Sequence, residues 1–189
     1  MHKPGAPDQL QQVQELNRAF LGMLQIRARA HRPCFGLPSE AQAALAAAGS
    51  SLLEAAATFP RALFQVEVPG ENRHPAGVPA DLDESEHDLC FSVVFAARQT
   101  SRQSAYQARL LFGLGRGDIE RLSCAGFTEL RRLAGTPGVV QCAFRERHWF
   151  WCSLFTATRP ELRRQLTLMA LQPRVTVGWP QRRPPQPAA

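Results

Sequence analysis

Phe35-Gly36-Leu37-Pro38-Ser39-Glu40-Ala41-Gln42-Ala43-Ala44-Leu45 and Phe112-Gly113-Leu114-Gly115-Arg116-Gly117-Asp118-Ile119-Glu120-Arg121-Leu122 open on the same triplet and carry leucine at the same later place. Laying Phe35 on Phe112 fixes an offset of 77 residues. In that register, without a gap, Ala48 meets Ala125, Gly49 meets Gly126, Leu53 meets Leu130, Ala57 meets Ala134 and Pro60 meets Pro137. Alanine matches carry little weight in an alanine-rich chain. The triplet, the glycine pair and the proline pair are the informative ones. Self-similarity at a fixed spacing is the mark of a repeated structural unit, so the chain reads as two degenerate copies of one module.

Upstream of the first triplet, Leu10, Val13, Leu16, Phe20, Met23 and Leu24 recur at helical spacing. This predicts an amphipathic helix that Pro33 ends at the latest. Downstream, Pro38 suits a first helical turn and Gly49 a left-handed stop, bracketing a short helix. Ser51 with Glu54 fits a capping box for a second short helix closed by Pro60. Phe64, Val66 and Val68 then alternate as a strand would. The second copy repeats the order. The apolar run Leu89 to Ala97 leads into a helix expected to reach Leu110; Asp118 or the glycine before it opens the next, which Gly126 stops. Thr128 caps another, and Val140, Cys142 and Phe144 alternate after a one-residue shift in register.

Between the copies, residues 69–88 hold prolines, glycines and the acidic run Asp81 to Asp88, too polar to fold alone and expected to be a linker. The expected organisation is a first module at 1–68, this linker at 69–88, a second module at 89–172 and a Pro/Arg-rich, disordered tail at 173–189. The second module extends past its strand through His148-Trp149-Phe150-Trp151 and a helix introduced by Thr158-Arg159-Pro160-Glu161.

The net charge of +6 is unevenly spread. Residues 1–68 carry +1, 69–88 carry −5, 89–172 carry +7 and 173–189 carry +3. A basic second half is consistent with a nucleic-acid partner, and equally with a solvated arginine-rich face. Arg131, Arg132, Arg163 and Arg164 are the candidate DNA-binding residues. The consecutive rings Trp149, Phe150 and Trp151, flanked by arginines, have the composition of an interface centre. With Phe112 and Leu114 they form the candidate partner-binding set.

Sites of chemistry are not evident. Cys34, Cys90, Cys124, Cys142 and Cys152 lack zinc-knuckle spacing, and the odd count argues against a disulfide framework. His2, His31, His74, His87 and His148 are scattered without a metal-binding pair. Gly113-Leu114-Gly115-Arg116-Gly117 matches neither a phosphate loop nor a dinucleotide fingerprint and suits an inter-helix turn. The expectation is therefore no catalytic site, no metal and no cofactor. The start lacks the apolar core of a signal peptide and no apolar run is long enough for a membrane helix, giving a cytoplasmic, non-membrane expectation. Paired short helices fit a helix-turn-helix outline, but Leu52-Leu53-Glu54-Ala55-Ala56-Ala57-Thr58 offers no basic or amide side chain to a base edge.

Leu16-Asn17-Arg18-Ala19-Phe20-Leu21, the Phe-Gly-Leu triplets, the short helices with Leu45 and Leu53, and the strand Val140-Gln141-Cys142-Ala143-Phe144-Arg145 together resemble the bacterial flagellar regulator subunit FlhD. The similarity covers about residues 13–68 and 91–155 and rests on pattern. It implies a mainly α fold of two tandem FlhD-like helical modules, each with short helices and a short strand. Two modules on one polypeptide would form an intramolecular pseudo-dimer, since a 20-residue flexible linker typically spans about 25 Å. It implies a subunit of a heteromeric transcriptional activator of motility or mobile-element transfer. Such a subunit would join a zinc-containing FlhC-like partner, engage promoter DNA through the complex and recruit RNA polymerase. The alternative is an adaptor or anti-activator of the same fold that captures a regulator without touching DNA.

Overall fold

A computed structural model describes residues 6–68, 81–145, 147–156 and 160–171. The chain is mainly helical: α1 (Ala6–Arg29), α2 (Ser39–Ala47), α3 (Ser50–Ala57), β1 (Phe64–Val66), α4 (Glu84–Gln103), α5 (Ala105–Phe112), α6 (Arg116–Cys124), α7 (Phe127–Ala134), β2 (Val140–Cys142), α8 (His148–Thr156) and α9 (Pro160–Leu171). At the sequence offset of 77, the bounds of α2 fall on those of α6 and the bounds of α3 on those of α7. The strands coincide at an offset one residue shorter, the slip expected after the proline. Each half packs its long helix on its two short ones, α1 on α2 and α3, α4 on α6 and α7.

β1 and β2 pair antiparallel in the register Phe64 with Cys142, Gln65 with Gln141 and Val66 with Val140. Exchanging the halves sends the outer two pairs into each other and leaves the Gln65–Gln141 pair in place. The register is thus self-complementary about that pair, as an isologous contact is. Alternation along these strands does not separate an inside from an outside, because all six residues are buried. The long helices also cross this axis antiparallel. Gln9 Nε2 donates to Gln103 Oε1 at one end (2.6 Å), and Arg27 meets Glu86 at the other.

The core runs through both halves. Phe20 packs edge-on against Phe35 and Phe64, at ring separations of 5.8 and 5.5 Å, and Phe64 touches Phe112 from the second half. Each such buried ring is worth about 1.5–3 kcal/mol over exposure. Asn17, fully buried, donates to the Phe59 and Arg61 carbonyls while its Oδ1 accepts from Leu63 N. One amide therefore satisfies the backbone between α3 and β1, which would otherwise be orphaned in the core. The triplet glycines take φ of +78° at Gly36 and +68° at Gly113. A Cβ on Gly36 would lie 2.8 Å from Arg145 Cδ, and one on Gly113 would strike Arg61 Nη2. The left-handed backbone favours glycine at both places, and a side chain there would also have to displace the arginine lying across it.

Several sequence expectations are corrected. The acidic run is not linker to its end: Asp83 caps α4 by accepting from Glu86 N, and the Glu86 carboxylate accepts in turn from Asp83 N. Carboxylates collect there because they complete a capping box and oppose the helix dipole. Gly49 and Gly126 are not left-handed stops but extended N-caps of α3 and α7. Ser51 and Thr128 therefore do not cap, and Glu54 instead pairs with Arg18 at 2.8 Å. The helix expected to reach Leu110 breaks at Ser104, whose Oγ accepts from Gln107 N and restarts the chain as α5. That turn directs Leu111 and Phe112 into the core. The tail at 173–189 lies outside the described residues.

Candidate interaction surfaces

The aromatic run after β2 resolves into one helix with two fates. Phe150 and Trp151 are buried, Trp151 donating its indole N–H to the Ala143 carbonyl at 2.7 Å, while Trp149 is 43% exposed. Phe150 stacks edge-on against Phe59 of the first half, 5.5 Å away, and α8 lies across α2 and α3. Leu154 of α8 and Leu166 of α9 close over Ala55, Thr58, Phe59 and Pro60. Position for position, the second half has Arg132, Gly135, Thr136 and Pro137 there. The first half's outer face is apolar and requires a cover; the corresponding face of the second half does not. Phe112 and Leu114 are also buried. Of the five candidate partner-binding residues, Trp149 alone offers surface, and the other four pack the interior.

Of the candidate DNA-binding residues, Arg131 and Arg132 extend from the solvent side of α7, whose Leu130, Leu133 and Ala134 are buried. Glu129 holds Arg132 at 2.6 Å. That contact keeps the Glu129 carboxyl below its ordinary value, through the hydrogen bond from Arg132 first, and raises Arg132 in return. Arg164 is exposed on α9; the side chain of Arg163 lies outside the described residues. The structure therefore places these arginines on two separate elements rather than in one cluster.

The α1–α4 seam has unlike ends. Arg27 and Glu86 form a two-point pair, both bonds 2.6 Å, with side chains 0% and 5% exposed. Arg27 also donates to the Pro33 and Asp81 carbonyls. At the other end lies an open groove of about 440 Å³ lined by Gln9, Gln11, Gln12, Glu15, Gln99, Thr100 and Gln103. Gln9 Oε1 is buried there without a partner among the described residues.

Three of the five thiols are buried. Burial raises Cys34, pushes Cys90 up to about 12, and holds Cys142 well above its ordinary value. These sulfurs stay protonated at neutral pH, which withholds the thiolate that nucleophiles and metal ligands need. Among the described residues no group of three histidines, cysteines or carboxylates is placed to hold a metal, and no helix is long and apolar enough to cross a membrane.

One surface was not singled out in the sequence. Phe91 stacks on Phe95 at 6.0 Å and meets Phe127 edge-on at 5.3 Å, with Phe127 63% exposed. Phe91 and Phe95 belong to an apolar run that reads as core, and Phe127 stands alone. Only the packing of α7 on α4 assembles the three. A scan against protein-family models, a search of curated proteins and a search of solved structures return no match for this chain.

Proposed function

We propose that this chain is a non-catalytic subunit of a heteromeric, DNA-binding transcriptional activator, its two FlhD-like modules paired within one polypeptide as an intramolecular pseudo-dimer. The observation that carries the pseudo-dimer is the β1–β2 register, self-complementary about Gln65 and Gln141. It is supported by the matching bounds of α2 with α6 and α3 with α7. An FlhC-like subunit would complete the activator, supplying any zinc, and promoter DNA and RNA polymerase would be engaged through the complex. The DNA half of the proposal rests on the +7 balance of residues 89–172 and on the exposed Arg131, Arg132 and Arg164.

Mobility shifts across a salt series, with and without an FlhC-like subunit, test it. Replacing Arg131, Arg132, Arg163 and Arg164 by alanine should flatten the log–log salt slope by roughly 0.9 for each phosphate no longer neutralised. An unchanged slope and affinity would remove the DNA contact from this chain. The second reading, an adaptor or anti-activator that binds a regulator without DNA, is favoured by the Phe91–Phe95–Phe127 surface, which suits a protein better than a phosphate backbone.

A further inference from the structure

We infer that the α4–α7 face centred on Phe91, Phe95 and Phe127 docks an amphipathic α-helix of another protein, one whose apolar stripe is bordered by carboxylates. The inference rests on the heteromeric half of the proposed function and names the chemistry of that partner.

The two halves provide an internal comparison. At the same offset, the first half has Gln14, Arg18 and Ser50 where the second has Phe91, Phe95 and Phe127. There the surface is sealed by polar contacts: Gln14 donates to the Thr58 carbonyl at 3.1 Å and Arg18 pairs with Glu54. Conversely, the first half's apolar outer face, around Ala55 and Phe59, is closed by α8 and α9. Each half thus has one apolar outer face. The chain covers the first half's face itself, whereas in the second half Phe127 stays 63% exposed over the half-buried Phe91 and Phe95. Such an aromatic patch on an arginine-rich half is the mark of an interaction site.

Charge selects the occupant. Arg98 and Arg102 continue the Phe91–Phe95 stripe of α4 toward its C-terminus, and Arg131 follows Phe127 by one turn on α7. Arg102 and Arg131 are exposed, Arg98 gives its Nε to the Ala125 carbonyl at 2.8 Å, and none of the three forms an ion pair among the described residues. Asp88 and Glu84 stand on the same stripe at its other end. A second copy docking antiparallel on this face would also set carboxylates against arginines, so self-association is one of the outcomes the experiment reads. A phosphate backbone offers the three rings no apolar surface to pack on. A partner helix would supply apolar side chains to the rings and carboxylates to the arginines along the α4–α7 face.

The test uses the full chain and a fluorescent synthetic amphipathic helix with a leucine stripe flanked by glutamates, beside the same peptide with lysines in their place. Anisotropy should show the glutamate peptide binding, and the lysine peptide about tenfold weaker or worse. Phe95→Ser with Phe127→Ser should cost about tenfold or more. Arg98→Ala with Arg102→Ala should cost a few-fold at low salt and flatten the salt dependence. Phe127→Ser alone, at the most exposed ring, with an unchanged melting curve, keeps the result separate from unfolding. Equal binding of the two peptides, or indifference to the phenylalanine changes, overturns the inference. So does self-association that Phe127→Ser abolishes, or a single-stranded DNA that competes for this face. Peptide docking that survives loss of all promoter shifts would sink the DNA reading alone, while intact shifts without docking would sink this one.

Discussion

Replacing Glu86 by alanine strips the counter-ion from Arg27, whose side chain is fully buried and shares two 2.6 Å bonds with that carboxylate. Its remaining partners, the Pro33 and Asp81 carbonyls and the face of the Phe35 ring, carry no formal negative charge. Leaving one member of a buried pair costs about 3–5 kcal/mol. For a chain of this size a kcal/mol moves the midpoint by about 2–4 °C, so the melting temperature should fall by roughly 6–20 °C. Gln9→Ala, at the opposite end of the same seam, loses a neutral hydrogen bond worth about 1 kcal/mol and should shift it far less. Arg27→Met with Glu86→Leu should recover much of the loss, since apolar replacements of a buried pair are often tolerated, but it leaves two carbonyls without their donor and breaks the capping box. Urea and thermal unfolding by circular dichroism measure all of these. If Glu86→Ala costs no more than Gln9→Ala, the pair does not hold the two halves together and the reasoning fails.

Separately expressed residues 1–68 and 81–189 should associate, because β1–β2 pairing, the α1–α4 seam and the seat of α8 all lie between them; two fragments that ignore each other in analytical ultracentrifugation would refute the mutual dependence. Trp151→Ala should cost about 3–5 kcal/mol, whereas Trp149→Ala should stay within about 0.5 kcal/mol; denaturant midpoints decide. Asp83 sits below its ordinary value of 3.8, held there mainly by the Glu86 amide and then by the Ser85 hydroxyl. A carboxylate depressed on folding stabilises above that ordinary value and loses its contribution as pH falls through the depressed one. Asp83→Asn should accordingly show a shallower acid limb than the parent, and identical limbs would dismiss the cap as a source of acid sensitivity. Gly113→Ala should cost about 1–2 kcal/mol, the strain of a left-handed alanine, and should displace Arg61.

The repeat, its offset and the slip after the proline were legible in the sequence because they are local. Helical period, Phe-Gly-Leu and the glycine and proline punctuation act within a few residues. Caps were read less well: Gly49, Ser51 and Thr128 each suit more than one position, and the path of the neighbouring turn decides which residue takes it. The Ser104 break carried a local signal, serine followed three places later by glutamine, that the surrounding helical period concealed. What the sequence could not determine was which apolar residues are covered. Phe150 and Trp151 look like a surface anchor until α8 crosses to the first half, burying Phe150 against Phe59 and holding Trp151 on the Ala143 carbonyl, while Phe91 and Phe95 end half-buried at the edge of the core beside an exposed Phe127. Hydrophobicity is a property of the residue, but burial belongs to pairs of elements distant in the chain. Only their packing separates a ring that stabilises the fold from one left to meet another molecule.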